Sequence, residues 1–231
     1  MTTLLRGLPE HDRRRIMQAA RRRRYARGEV VFHEGDAGDA LHLISRGRVA
    51  VGASTPMGEI ATFAVLGPGD FFGEQALVGR RQARTATVVA LEPLETLAIG
   101  STMFEDVRAA HPSVERFLVD VLAAQVRRLS THLLEALFLP AETRVARRLV
   151  VLAHEYADAG SQRSAAGNGQ GEALHLPVVI PLTQAHLATL AGTTRPTVNR
   201  VLREMQDDGA VRLGRGRVEI IDLRAVQRRA A

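Results

Sequence analysis

A glycine, a carboxylate, an arginine and a hydroxyl come together in one short stretch, Phe71 to Val88 (FFGEQALVGRRQARTATV). Gly73 and Glu74 open a turn of helix, and Arg84 with Thr85 follows ten residues after the glutamate. Gly73 lacks a β-carbon and lets backbone approach a bound group closely. Amides free at the start of a short helix attract an anion. Arg84 can fork onto two phosphate oxygens, with the Thr85 hydroxyl and the Ala86 amide beside it. An ionised Glu74 only accepts hydrogen bonds, which suits a sugar hydroxyl and not a phosphate. These residue types describe a pocket for a phosphate ester with an attached ribose. On residue types alone, an ordinary β-turn with a surface arginine fits the same pairs.

A second group lies in Leu182 to Met205 (LTQAHLATLAGTTRPTVNRVLREM). Thr183 is a helix N-cap, and Leu187, Ala188 and Leu190 supply the apolar face of a first helix. Ala191-Gly192-Thr193 is the short glycine-containing turn that a helix-turn-helix needs. Thr194 caps a second helix, in whose first turn Pro196 costs no hydrogen bond. Val198, Val201 and Leu202 face inward. Arg195, Thr197, Asn199, Arg200 and Arg203 are left for other faces. A plain αα-hairpin with a solvated arginine face is the alternative. Asp208 to Asp222 continues as two strands about Gly214-Arg215-Gly216, a wing whose Arg212, Arg215 and Arg217 suit phosphates, which orient a protein without specifying sequence.

The elements that must position these groups follow from the pattern on either side. Leu4 to Ala26 reads as a helical lead-in with Leu8, Ile16, Met17 and Ala20 as its apolar face. Its run Arg21 to Arg24 is read as a solvated helix end, with a basic contact patch as the alternative. Short β-type runs follow at Val30–Phe32, Leu41–Ile44, Val49–Val51, Ile60–Phe63 and Thr85–Val89. Turn-rich segments separate them, so a sandwich or closed barrel is expected. Leu97 to Ala110 reads as a helix with Phe104 and Val107 inward, broken at His111-Pro112, and Ser113 is expected to cap the next helix.

Val114 to Leu139 is the longest helical pattern. Its stripe of Val114, Leu118, Val121, Leu122, Leu129, Leu133 and Leu137 is wide. On the order of 40 Å long, it outruns one small domain and is expected to pair with its copy in a parallel coiled coil. Pro140 ends it. Thr143 to Ala157 is amphipathic through Val145, Leu149, Leu152 and Ala153. Ala159 to Gly171 is a connector rich in Gly, Ser and Ala. Leu174 to Ile180 reads as a short strand pair with Pro177 at an edge.

Composition narrows the function. The 231 residues suit two domains. The net charge is +6, and all 31 basic residues are arginine, a balance that suits nucleic acid. Cysteine is absent, which excludes disulfides, thiolate zinc sites and cysteine-ligated clusters. No run of about eighteen apolar residues spans a membrane, and the N-terminus lacks the apolar core of a signal peptide. A cytoplasmic protein is expected. A metal-binding cupin enzyme would also use a β-roll, but His33 and His42 do not make the closely spaced pair such sites need. No Ser-His-Asp arrangement occurs either, so no enzyme is expected.

The stretch Phe71–Val88 resembles the phosphate-binding cassette of cyclic-nucleotide-binding domains, through Phe72, Gly73, Glu74, Ala76, Leu77, Arg84, Thr85 and Ala86. Gln75 departs from it, because an aliphatic residue is usual there. HEGDAGDALHLISRGRVAV resembles the first half of that family's β-roll, and Leu182–Met205 is similar to the helix-turn-helix of the Crp/Fnr regulators. The resemblance implies an α+β fold: a cyclic-nucleotide-binding β-roll of the jelly-roll kind over 1–112, a dimerisation helix over 113–140, and a winged helix-turn-helix DNA-binding domain over 141–231.

It also implies a transcription regulator, a homodimer whose affinity for double-stranded DNA is set by a cyclic nucleotide. RNA polymerase is a candidate partner. Cyclic AMP is the first ligand expected, cyclic GMP the second, and a cyclic dinucleotide or no ligand the third. Gly73, Glu74, Gln75, Ala76, Arg84, Thr85 and Ala86 would bind it. In the cyclic-AMP-binding members a polar pair on the long helix touches the base. The matching positions are Leu129, which cannot hydrogen-bond an adenine, and Ser130, with Thr131 beside it. Thr183, Thr194, Arg195, Thr197, Asn199, Arg200, Arg203 and Arg215 would meet DNA, Arg195 and Arg200 as base readers able to pair with guanine O6 and N7. Pro196 stands where several relatives carry a cytosine-reading glutamate. Two alternatives share the fold: a ligand-independent regulator with a vestigial β-roll, and a haem or gas sensor using His33 or His42.

Overall fold

The structure is a computed structural model that describes residues 9–54, 60–75, 83–161 and 176–231. The chain forms two compact units, residues 1–130 and 131–231, and their boundary falls inside one long helix.

The first unit runs α1 (Glu10–Ala19), β1 (Arg21–Tyr25), β2 (Val30–Phe32), β3 (Ala40–Arg46), β4 (Val49–Ser54), β5 (Ile60–Leu66), β6 (Phe71–Phe72), β7 (Thr87–Ala90), β8 (Leu94–Gly100), α2 (Ser101–Ala110) and the start of α3 (Pro112–Phe138). Two four-stranded sheets, ordered β1-β8-β3-β6 and β2-β7-β4-β5, make the roll. Ladders are antiparallel throughout the two sheets.

Strand β3 explains the layering. Successive side chains of a strand point to opposite faces. Leu41 and Leu43 pack with Ile99 against Ile16, Phe104, Val107, Val114 and Leu118 of the helices. Ile44 packs on the other face with Val49, Phe72, Val88, Ala90 and Leu94. A strand buried on both faces reads as a continuous apolar run, which is what residues 40–44 show.

Several expectations are corrected. The four arginines are not a helix end: Arg21–Tyr25 is an edge strand paired with β8. Arg22 and Arg24 reach Glu95 at 3.1 and 3.0 Å. Charge along an edge strand blocks pairing with other chains, and it hides the period-two signal. The lead-in helix is therefore shorter than expected. Ile16 is buried, Met17 is exposed, and Leu8 lies outside the described residues. Leu97–Gly100 is strand, not helix, and α2 begins at Ser101. Phe104 and Val107 are buried as expected. Helix α3 begins at Pro112, where a missing amide costs nothing, so Ser113 lies inside its first turn and not at its cap.

The apolar stripe of α3 divides. Val114 and Leu118 enter the core of the first unit and Leu122 is half-buried, whereas Leu129, Leu133 and Leu137 are exposed on this chain, as are Val119, Val126, Leu134 and Phe138 beside them; the Val121 side chain lies outside the described residues.

The second unit continues with α4 (Ala141–Ser161), β9 (Val178–Ile180), α5 (Gln184–Ala191), α6 (Arg195–Asp207), β10 (Val211–Gly214), β11 (Arg217–Ile220) and α7 (Leu223–Ala230). Its core holds Val145, Ala146, Leu149, Leu152 and Ala153 of α4 with Leu187, Val198, Val201, Leu202 and Met205. The expected connector falls largely in 162–175, outside the described residues, and its first residues extend α4 instead. Of the expected strand pair, residues 174–175 lie outside the described residues, and the described part gives one strand: β9 lies at the edge of a β10-β11-β9 sheet, just after Pro177. Helix α7 is an element the sequence reading did not anticipate. Asp222 caps it by accepting from the Ala225 amide at 3.1 Å, and Val226 is fully buried. Among the described residues no helix is long and apolar enough to cross a membrane.

Candidate functional site

Strands β3, β6 and β7 carry the cassette. Gly73 ends β6 with φ +89°, a left-handed conformation suited to glycine. Ten residues on, the backbone of Arg84 is clamped by a turn: its amide donates to Asp36 O at 2.8 Å, and its carbonyl accepts from the Gly35 amide at 2.9 Å. The buried Arg84 guanidinium donates from Nη1 to Ala40 O at 2.9 Å and to Gly73 O at 3.1 Å. Its Nη2 donates to Asp39 Oδ1 at 3.1 Å. Its face lies 4.1 Å from the centre of the Phe32 ring, within cation–π range.

Burial pulls the Arg84 pKa below its ordinary value, and the Asp39 carboxylate offsets part of that. Of five N–H donors, three are engaged. Nε is buried without a hydrogen-bond partner. Nε–H and one Nη2 hydrogen thus remain for an anion.

Arg84 lines one cavity with Phe72, Gly73, Glu74, Gln75, Thr85 and Ala86. Val51, Phe63, Ala64, Leu66 and Val88 form its apolar wall, and Gln125, Arg128 and Leu129 of α3 complete it. A relay of hydrogen bonds crosses it. Thr85 Oγ1 donates to Gln75 Oε1 at 2.7 Å, Gln75 Nε2 to Gln125 Oε1 at 3.2 Å, and Gln125 Nε2 to Glu74 Oε1 at 3.0 Å. Glu74 is only 4% exposed. A buried cation with spare donors and a buried acceptor thus share one cavity.

The cavity brings together Gly73, Glu74, Gln75, Arg84, Thr85 and Ala86, whereas Ala76 and Leu77 lie outside the described residues. Leu129 lines the cavity, but the exposed Ser130 and Thr131 do not. The helix turns about 100° per residue, so positions one and two after Leu129 point elsewhere. The polar groups α3 offers are Gln125 and Arg128.

His42 is a core histidine. It stacks on Phe72 with ring centres 5.0 Å apart, and its Nδ1 lies 3.2 Å from Thr96 Oγ1. Burial first, and then the Arg84 charge, push its pKa down to about 4. The exposed His33 sits in the turn that clamps Arg84.

In the second unit Thr183 Oγ1 accepts from the His186 amide at 3.2 Å, and Thr194 Oγ1 accepts from the Thr197 amide at 3.4 Å. Both threonines are caps. Gly192 between the helices has φ +59°. Helix α6 buries Val198, Val201, Leu202 and Met205 and exposes Arg195, Arg200 and Arg203. Asn199 is half-buried and accepts from Gln184 Nε2 at 3.4 Å, a contact that ties α5 to α6. Thr197 pairs its hydroxyl with that of Thr194. Arg215 is exposed at the turn between β10 and β11, while Arg212 and Arg217 pair with Glu219. Thr183, Gln184 and Arg195 line a cleft with Gly214 and Arg217.

Residues 22–111 match the family model of the cyclic nucleotide-binding domain, and residues 143–229 that of the Crp-like helix-turn-helix domain. Over 217 residues the chain is 33% identical to the cyclic AMP receptor protein of Thermus thermophilus, covering 94% of this chain and 91% of that protein. The chain belongs to the Crp/Fnr family of transcription regulators.

A CRP-like cAMP-activated global transcriptional regulator of Mycobacterium tuberculosis is 31% identical over 206 residues, covering 89% of this regulator and 86% of the relative. In fold, the regulator is similar to the c-di-GMP responsive global regulator CLP of Xanthomonas campestris, with TM-score 0.71 and 20% identity over 92% of this chain and 99% of that one.

For this Crp/Fnr member the sequence reading missed the cavity residues Gln125 and Arg128. Gln125 sits about one turn, and Arg128 one residue, before Leu129, the first of the base-contacting positions the resemblance pointed to. Gln125 carries a readable signal in retrospect: it is the polar residue one turn before Leu129 on the same helix face. The reading also missed Glu142, in the first turn of α4, which forms an ion pair with Arg200.

Proposed function

We propose that the regulator binds a cyclic nucleotide in the first unit and that occupancy raises the affinity of its homodimer for double-stranded DNA. The carrying observation is the shared cavity of Arg84 and Glu74. The two remaining Arg84 donors match a cyclic phosphate diester, helped by the Thr85 hydroxyl and the Ala86 amide. Glu74 would accept from the ribose hydroxyl. Gln75 is the ligand's polar neighbour where an aliphatic residue is usual.

Cyclic AMP is the first ligand on this reading; cyclic GMP stays second in view because Leu129 gives an adenine amino group no acceptor. The activities named for the two relatives above favour cyclic AMP. The exposed heptad-like spacing of Val119, Val126 and Leu133 supports a coiled-coil pair of α3 helices. In the dimer both α6 helices would enter successive major grooves about one helical turn apart. Arg195 and Arg200 would then read base edges, while Thr183, Thr194, Thr197, Arg203 and Arg215 would meet backbone or thymine methyls. Asn199 would act by holding α5 against α6. RNA polymerase is the partner a promoter-bound dimer would meet, in the cytoplasm and without enzymatic activity.

Calorimetry with cyclic AMP and cyclic GMP, on wild type and Arg84→Ala, tests the pocket. Binding of either nucleotide that is lost in the variant supports it; affinity unchanged in the variant sinks it. A ligand-independent regulator is the second reading, favoured by Leu129 in the cavity wall, and binding of neither nucleotide would favour it. Haem sensing is weaker, since His42 is stacked in the core.

A further inference from the structure

Helix α6 presents three exposed arginines, and they differ in their surroundings. Arg195 and Arg203 form no ion pair among the described residues. Arg200 is held by two carboxylates. Its Nη1 donates to Glu204 Oε1 at 2.9 Å, one turn along the same helix, and its Nη2 donates to Glu142 Oε1. Glu142 comes from another element, the first turn of α4, which packs against α6 within the same unit. Arg200 keeps about half its side-chain exposure, 54%, and three of its five N–H donors remain.

We propose that Glu142 is a specificity-determining residue of the regulator: with Glu204 it fixes the Arg200 guanidinium as a reader of base edges and keeps it off the phosphodiester backbone. The inference rests on the DNA-reading role proposed above for Arg200. Three arguments carry it. The Glu142 and Glu204 carboxylates offset the charge of Arg200, although Glu204 also pairs with Arg229 at 3.5 Å, so a phosphate approaching Arg200 loses much of its attraction to that guanidinium. A neutral guanine edge, with its O6 and N7 acceptors, does not. The two carboxylates also hold a long, flexible side chain from two directions, one of them anchored outside α6. Ordering of this kind before binding reduces the entropy lost on contact.

Both partners' pKa values respond to the contact. The hydrogen bond from Arg200 holds the Glu142 carboxyl below its ordinary range, and Arg200 is pushed up chiefly by the hydrogen bond to Glu142. The Glu142 side chain is accordingly ionised at neutral pH.

The test uses full-length protein. A preferred duplex is selected from a random library, with and without cyclic AMP. Affinities for that duplex and for a scrambled one are then compared across wild type, Glu142→Ala, Glu142→Gln, Arg200→Ala and the Glu142→Ala/Arg200→Ala double variant. Both Glu142 variants should lower the ratio of selected to scrambled affinity about tenfold, within the range of a lost base contact. They should also strengthen binding to the scrambled duplex and steepen its salt dependence by about one released counterion as Arg200 turns to phosphate. On the Arg200→Ala background Glu142→Ala should change nothing further.

An unchanged ratio in both Glu142 variants, or an equal fall for both duplexes, overturns the inference. If Arg200→Ala itself leaves the ratio unchanged, the base-reading role fails and this inference with it. A library that yields no preferred sequence refutes both. Thermal melts check that Glu142→Gln, which keeps the side-chain shape, is folded.

Discussion

Arg84 Nη1 occupies the space into which a β-carbon on Gly73 would project; such a carbon would lie 2.5 Å from it and 3.1 Å from Ala40 O. The glycine of the cassette therefore makes room for the arginine that would hold the ligand, and not only for the ligand itself. The positive φ of Gly73 adds a backbone cost for any other residue. Gly73→Ala should push the guanidinium out of its three-point anchor. Nucleotide affinity in calorimetry should fall at least tenfold, with about 1–2 kcal/mol lost in stability. Wild-type affinity in this variant would mean that the anchor of Arg84 does not matter for binding.

The relay from Thr85 through Gln75 and Gln125 to Glu74 occupies the groups a nucleotide would use. Gln125→Ala removes the side-chain donor recorded for a buried carboxylate, which costs about 1–3 kcal/mol when nothing replaces it. A ribose hydroxyl would replace it. Melting curves with and without cyclic nucleotide should therefore show a lower melting temperature for the free variant and a larger ligand-induced rise than in wild type. Equal rises would separate Glu74 from the ribose.

His42 makes the first unit acid-sensitive. Its pKa falls from 6.5 in the unfolded chain to about 4 in the fold. The folded state disfavours the proton, so this contribution is fully present above pH 6.5 and is lost as pH drops toward 4. The full loss is about 3 kcal/mol at 1.36 kcal/mol per pH unit. The charges acting on His42 are Arg84, Asp39 and Arg23. His42→Asn should flatten the difference in melting temperature between pH 7 and pH 4.5 relative to wild type. An identical pH dependence in both proteins would assign the acid sensitivity elsewhere.

Val126 and Leu133 lie one heptad apart and are 63% and 60% exposed on the single chain. Packed against a second α3 they would be buried, and a charge at either would be costly to desolvate. Val126→Glu combined with Leu133→Glu should yield a monomer in sedimentation equilibrium, and wild type should sediment as a dimer. A dimeric double variant would place the interface on another surface.

Local features of the sequence were readable, and distant ones were not. Gly73, Glu74, Arg84 and Thr85 lie within one short stretch, so their shared chemistry shows in the order of residues. The groups that anchor Arg84 do not: Asp39 and Ala40 arrive through the pairing of β3 with β6. The caps Thr183 and Thr194 and the turn at Gly192 were readable because capping acts over three residues. Arg21–Arg24 hid a strand because an edge strand can carry charge on both faces. Helix α7 hid because only Val226 of its eight residues is buried, and the rest, three arginines and a glutamine among them, give no clear apolar stripe. Glu142 could not be linked to Arg200 from sequence, since 58 residues separate them.

The coupling between the two units decides whether this chain is a switch. A fluorescent duplex selected by the protein is titrated with full-length protein, without nucleotide and then with saturating cyclic AMP or cyclic GMP, in wild type and Arg84→Ala. One nucleotide should tighten DNA binding about 5- to 150-fold, the usual range of allosteric coupling, and should have no effect in the Arg84 variant. Equal DNA affinity with and without both nucleotides in wild type would contradict nucleotide control and leave a DNA-binding protein that neither cyclic AMP nor cyclic GMP switches.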